Sequence, residues 1–342
     1  MSAPPLPGPR GPLSAGLISL LGGEAGPRLS GAPLPDVADP IRDDDLQLAL
    51  YSAYELHYRS FAGVDPELEW DPALLAFRRE LERVFEAALR EAVPAAPLAA
   101  DEVGEHLFRL ADEDDGPSLS RVLELRGTLD QLRELVIHRS AYQLKEADPH
   151  TWAIPRLDGP PKAALVEVQA DEYGSGRPER MHSALFAQTM RALGLDDSYG
   201  AHVDRLPGST LATVNLITMC GLHRRLRGAL VGHLAMFEIT SPQPNRRYGS
   251  ALRRLGFGAE ATDFYDEHVV ADSVHENVAA YDLAQGLAIA DPGLASEVAW
   301  GARALLHVEG IWAEALIGAW EEGRSSLLPA REDSAAAAAL AA

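Results

Sequence analysis

Cysteine is almost missing from this chain: Cys220 is the only one in 342 residues. That excludes an intrachain disulfide and any zinc or iron–sulfur site built on thiolates. A bound metal must therefore be held by nitrogen and oxygen. Long apolar runs are missing too, with no uninterrupted window of about 18 residues to cross a bilayer. Basic residues are in deficit, 30 Lys and Arg against 51 Asp and Glu for a formal charge of −21. No basic cluster is long enough to track a phosphate backbone, so nucleic acid is not an expected partner. Arg224, Arg225 and Arg227, and later Arg246, Arg247, Arg253 and Arg254, offer local anion sites at most; ordinary helix-surface charge is the favoured reading. The N-terminal MSAPPLPGPRGPLSAGLISLLGG lacks a basic n-region and is broken by Pro and Gly, which reads as a flexible arm rather than a signal peptide. A cytoplasmic protein with no membrane partner is expected.

Strand-like alternation is scarce and no repeat of fixed period is visible. What is present is helical periodicity, and 46% hydrophobic residues are ample for a sizeable core. Helices are predicted at 43–61, 72–92 and 118–145, where Leu123, Leu125, Leu129, Leu132 and Leu135 mark an apolar stripe. Further helices are predicted at about 160–173, 178–193, 209–239, 243–256, 258–289 and 292–322, separated by punctuation such as Gly174-Ser175-Gly176 and Pro242-Gln243-Pro244. The fold class is all-α.

Within the segment ATDFYDEHVVADSVHENVAAYDLAQ stand His268, Asp272 and His275. Steps of four and three residues place the second and third at about 40° and about −20° from the first, so one helix presents imidazole, carboxylate and imidazole in a column. This donor set suits iron or manganese better than magnesium or calcium, and better than a thiolate-rich structural zinc site. Val269, Val270, Ala271, Val274 and Val278 make much of the remaining surface apolar, so the column faces protein. Glu238, a lone carboxylate among Leu234, Met236, Phe237 and Ile239, reads as a further ligand. His233 lies about 140° from it around the helix and does not share its face.

The segment VEVQADEYGSGRPERMHSALFAQTM offers Glu167, Asp171, Glu172, Glu179 and His182. Glu179 and His182 have the Glu-x-x-His spacing of ferritin-like bundles. Pro178, however, reads as the first residue of a helix, where Glu179 simply favours the positive dipole end. Glu172 with His182 is preferred, the glycine break letting two helical pieces aim both inward. Other tempting residues read as structural. Glu55 and His57 lie about 200° apart around a helix; Tyr51, Tyr54 and Tyr58 pack between helices. His138, His150, His202, His223 and His307 lack ligand spacing, and Gly174-Ser175-Gly176 lacks the Lys and strand–helix context of a phosphate loop.

Glu172 and His182 in EYGSGRPERMH, Glu238 in MFEITSP, and His268, Asp272 and His275 in HVVADSVH together resemble the haem-oxygenase-like diiron oxidases and oxygenases, also described as iron-containing redox enzymes. The likeness covers about 140–290. It implies that these positions ligate a labile cofactor of two iron ions, without haem, and that dioxygen is co-substrate. It makes Glu238, able to bridge, and Asp272 the flexible catalytic carboxylates. The spacing from Glu172 to His182 is most similar to the branch that oxidises amine nitrogens. That branch carries an additional carboxylate near the metal, to which Glu146 in YQLKEADPHTW is matched. The implied activity is N-oxygenation of a small-molecule amine in specialised metabolism, compatible with an external electron donor and a homodimer. The alternatives are oxidative C–C cleavage or desaturation of an amino or fatty acid, and non-catalytic iron storage or sensing. The expected organisation is a flexible arm over 1–40, a helical layer over 41–145 packed on the core, a haem-oxygenase-like diiron domain over 146–325 and a low-complexity tail over 326–342.

Overall fold

The computed structural model describes residues 3–24 and 34–330, with 272–274 described by their backbone alone. Every regular element among them is helical.

Helix α1 (Pro12–Leu21) lies where a flexible arm was expected, yet Leu17 and Leu21 are buried. Pro12 presets the first turn. The cap comes from α2 (Asp44–Glu55), whose Asp45 carboxylate accepts from the backbone N–H of Leu13 and Ser14 at 2.8 and 2.7 Å. The arm expectation is corrected over its described part, because a cap supplied from another helix leaves no local signal. Asp43 caps α2, and Asp71 caps α3 (Pro72–Ala92), which buries Leu74, Phe77, Leu81, Phe85 and Leu89 at helical spacing. Helix α4 (Val103–Asp112) was not anticipated; it buries only Val103, Gly104 and Leu107.

The single helix expected over 118–145 is two, α5 (Leu119–Arg126) and α6 (Leu129–Gln143). Gly127 leaves the helical region with ψ 136°, and Thr128 opens α6 in a reciprocal capping box with Gln131. Short α7 (Asp148–Thr151) leads to α8 (Gly159–Glu172). Chain reversal then runs through Gly174, Ser175 and Gly176 at φ 64°, 51° and 79°. Helix α9 (His182–Ala192) begins later than expected, because Pro178–Arg180 forms only a 3-10 turn and Met181 is extended at ψ 135°. The helix expected over 209–239 is likewise divided, into α10 (Gly208–Leu222) and α11 (Arg227–Thr240), at extended His223. After α12 (Pro242–Arg254), α13 (Ala259–Asn277) runs through a π-helical stretch (Val278–Gln285) into α14 (Gly286–Ala290), and α15 (Ala295–Glu321) closes the bundle.

Helix α15 packs along α11 so closely that a Cβ on Gly232 would collide with the Val298 carbonyl oxygen, and one on Gly301 with that of Ala229. One apolar cluster joins α1 to α4 with α10, α11 and α15 through residues such as Leu17, Leu50, Phe85, Leu216 and Leu305. A second joins α5, α6, α9, α12, α13 and the end of α15 through Leu123, Leu132, Phe186, Leu252, Phe264 and Leu316. Burial of each leucine contributes about 2 kcal/mol before entropy is counted. The tail expected from 326 is anchored at its start: Leu327 is buried, and the Ser326 hydroxyl donates to Glu134 at 2.6 Å. Residues 331–342 lie outside the described residues. No helix of the described residues is long and apolar enough to cross a membrane.

Candidate metal centre

Four helices and one turn converge on a buried polar cluster. Glu172 is the last residue of α8 and His182 the first of α9, so the left-handed break between them brings the two side chains face to face, Glu172 Oε2 lying 3.0 Å from His182 Nδ1. Gly174 is needed there, since a Cβ would meet the backbone of Arg180 and Met181 at 2.6 Å. Glu238 enters from α11, and His268 and His275 from α13. Glu146 sits in the turn after α6. The next residue, Ala147, holds φ 77°, and its carbonyl oxygen accepts from Gln169 Nε2 at 2.9 Å and from Thr151 Oγ1 at 3.1 Å. A non-glycine residue in that region costs about 1–3 kcal/mol, and these bonds hold the turn that aims Glu146 inward.

Two overlapping groups result. Glu146, Glu172, His182 and His268 offer ligand atoms within 4.8 Å of one another, and so do Glu172, Glu238 and His275. Glu172 belongs to both. Asp272 lies on α13 between the two histidines, its side chain outside the described residues. Glu179, on the exposed 3-10 turn, belongs to neither group, and His150 and His233 pair with each other at 3.3 Å instead. His138 meets Thr210 and Ser326, His223 meets Glu82, and Glu55 is locked to buried Lys145 at 2.9 Å.

The imidazoles are oriented by acceptors that sequence reading did not assign. His268 Nδ1 donates to the Phe264 carbonyl oxygen at 2.8 Å, one helical turn back, leaving Nε2 toward Glu146 Oε1 at 3.6 Å. His275 Nε2 donates to Asp171 Oδ2 at 3.0 Å, leaving Nδ1 toward Glu238 Oε2 at 3.6 Å. Such outer partners set which ring nitrogen keeps its lone pair. The Phe264 contact follows from an i−4 carbonyl and was locally readable; Asp171 was visible only as one carboxylate among several.

Burial raises the Glu238 carboxyl above its ordinary value; His275 opposes this and the Glu172 charge adds to it. Burial also disfavours the Glu172 anion, but His182 first, then His268 and His275, outweigh it and hold that carboxyl below its ordinary value. At His275 burial disfavours the cation, yet Glu238 and Asp171 prevail and push its pKa up to about 9.

Whether these residues fit a metal is decided by their unused atoms. Glu146 Oε2, His182 Nδ1, Glu238 Oε2 and His275 Nδ1 are buried without a hydrogen-bond partner. Glu172 and His182 are close but misaligned for a hydrogen bond, as two donors converging on a third point would be. An orphaned buried carboxylate or imidazole costs about 1–3 kcal/mol or more, and coordination of a cation removes that cost. A buried nitrogen-and-carboxylate set suits iron.

This all-α bundle with an internal carboxylate–histidine cluster matches the family model for iron-containing redox enzymes over residues 133–310, more than half of the chain, and the chain belongs to that family. Its fold is haem-oxygenase-like. Among curated proteins it is similar to nitrosourea synthase of Streptomyces achromogenes subsp. streptozoticus, 28% identical over 136 residues, 40% of this chain and 29% of that protein. The aligned part is under a third of that relative's length.

Proposed function

We propose that the protein is a non-haem diiron oxygenase that uses dioxygen to oxidise the nitrogen of a small-molecule amine. The observation that carries the reading is Glu172 shared between two ligand groups, with orphaned buried ligand atoms in each. Glu146, Glu172, His182 and His268 would hold one ion; Glu172, Glu238 and His275, with Asp272 from its helical register, would hold the other. Glu172 stands in both groups, and Glu238, the carboxylate expected to bridge, stands in one. Glu238 and Asp272 remain the carboxylates free to change their mode of binding. Ferrous iron, when held by these residues, would supply the electrons that reduce dioxygen. His268 and His275 keep one ring nitrogen each for metal because Phe264 and Asp171 occupy the other. The surrounding apolar residues exclude bulk water, which strengthens every charge interaction inside. Choice of nitrogen as the site of oxidation is supported by the similarity to nitrosourea synthase.

The test is anaerobic titration with ferrous iron, followed by oxygen consumption with a panel of amines, amino acids and fatty acids and mass analysis of products formed under labelled dioxygen. About two irons per chain and a labelled oxygen on nitrogen are expected. Saturation at one iron overturns the diiron assignment. Loss of a carbon fragment or of two hydrogens reassigns the reaction to cleavage or desaturation, and many irons per chain to storage.

A further inference from the structure

The space bounded by the ligand cluster is only about 40 Å³, enough for a water or dioxygen and too small for an organic substrate. Gln143, Phe237, Ser241 and Asn245 line that space and also a neighbouring cavity of about 600 Å³. These residues stand between the two and make the throat of the site proposed below. The larger cavity is of the size that holds small ligands.

Its polar groups are specific. Asn245 is 9% exposed, and neither its amide nor that of Gln143 makes a side-chain hydrogen bond among the described residues, although both line the cavity. Three arginines line it: Arg121 is exposed and has no side-chain partner among the described residues, and Arg139 is engaged by two bonds to Glu309 at 2.8 and 2.6 Å. Arg247 is not saturated. Its Nη1 donates to the hydroxyls of Ser118 and Ser120 at 3.1 and 3.3 Å, and its Nε lies 3.8 Å from Glu124 Oε2. No partner among the described residues takes its Nη2. A guanidinium held by two neutral hydroxyls, with its one carboxylate partner as far as 3.8 Å, keeps a donor edge for an anion. The cavity is also lined by Asp112, Asp114 and Glu276, which oppose a purely anionic ligand.

We infer that this cavity is the substrate chamber and that it takes a flexible amine bearing a remote carboxylate or phosphonate. The anion pairs with Arg247. The amine is presented at the throat, where the Gln143 and Asn245 carbonyl oxygens accept its N–H groups. Phe237 supplies the apolar side of the throat. The inference rests on the oxygenase reading for the chemistry that follows, but binding itself requires neither iron nor dioxygen.

The test is therefore equilibrium calorimetry on the full chain without added iron, using ω-amino acids from β-alanine to aminooctanoate, alkylamines and alkanoates of matched length, and aminopropylphosphonate. One chain length should bind best, about tenfold or more tighter than its matched amine and alkanoate. Arg247→Gln should erase that advantage while leaving alkylamine binding and ferrous stoichiometry unchanged; Arg247→Lys should restore part of it. Asn245→Ala should weaken the ω-amino acid and the alkylamine together. Circular dichroism on each variant identifies loss of fold, in which case the wild-type ligand series decides. Alkanoates or alkylamines binding as tightly as every ω-amino acid, or Arg247→Gln in folded protein without effect, overturns the inference. Tight ω-amino acid binding in a chain that loads no iron sinks the oxygenase reading and leaves the chamber standing.

Discussion

Glu172 takes part in both ligand groups, whereas Glu179 is exposed on the far side of the glycine break. Glu172→Ala should therefore abolish loading at both iron positions, and Glu179→Ala should leave stoichiometry near wild type. Ferrous titration with circular dichroism as a fold control checks both; loss of both irons in Glu179→Ala with retention in Glu172→Ala would sink the assignment. Asp171 holds His275 by its distal nitrogen at 3.0 Å. Asp171→Ala frees the ring, and since outer partners are worth about tenfold or more in metal affinity, the second iron should bind that much more weakly while the first is spared. At this scale the members of the buried cluster were readable where chemistry is incongruous with its surroundings: Glu238 in an apolar helix, or imidazoles stacked on one face of α13. The sharing of Glu172 was not readable. It depends on where the end of one helix sits between the side chains of two others, and no spacing along the chain encodes that.

The elements carrying the buried cluster are positioned by backbone contact as much as by side chains. Gly301 of α15 lies against the Ala229 carbonyl of α11, while a methyl group added at Gly318, further along α15, would meet nothing within 4 Å. Gly301→Ala should force the helices apart at a cost of about 1–3 kcal/mol or more, lower the melting temperature and weaken iron binding through Glu238 on α11. Gly318→Ala should instead be neutral or stabilising by up to about 1 kcal/mol from helix propensity. Thermal melts of the pair check the contrast; equal behaviour would mean that the two helices can separate at the crossing without cost. Long amphipathic helices such as α3 were legible because their apolar positions recur every three or four residues. Helix α1 was not, because its cap comes from Asp45, and α4 was not, because its buried residues are few. The breaks at Gly127 and His223 were missed because apolar periodicity continues across them.

For the whole molecule, burying neutral histidines makes stability depend on pH. Burial pushes the pKa of His138, and likewise of His233, from 6.5 down to about 3, and lowers that of His150 well below 6.5. Below pH 6.5 the unfolded chain binds protons at these sites that the folded chain refuses, so stability falls as pH drops from 6.5 toward 3. The ceiling is about 1.4 kcal/mol per pH unit for each histidine. His275 works in the opposite direction: its folded pKa of about 9 stabilises the protein below 6.5, and that contribution is lost as pH rises through 9. Carboxylates also weaken the fold in acid, so the histidine share is isolated by a variant. His138 bonds Thr210 at 2.7 Å and Ser326 at 3.0 Å, contacts that an uncharged amide can replace in part. His138→Gln should therefore lower the melting temperature at neutral pH, through poorer packing, yet flatten its decline between pH 6.5 and about 4. Melts of both proteins across that range check it. A variant whose melting temperature declines as steeply as the wild type's would show that His138 takes up its proton without unfolding, and that the burial argument fails at this residue.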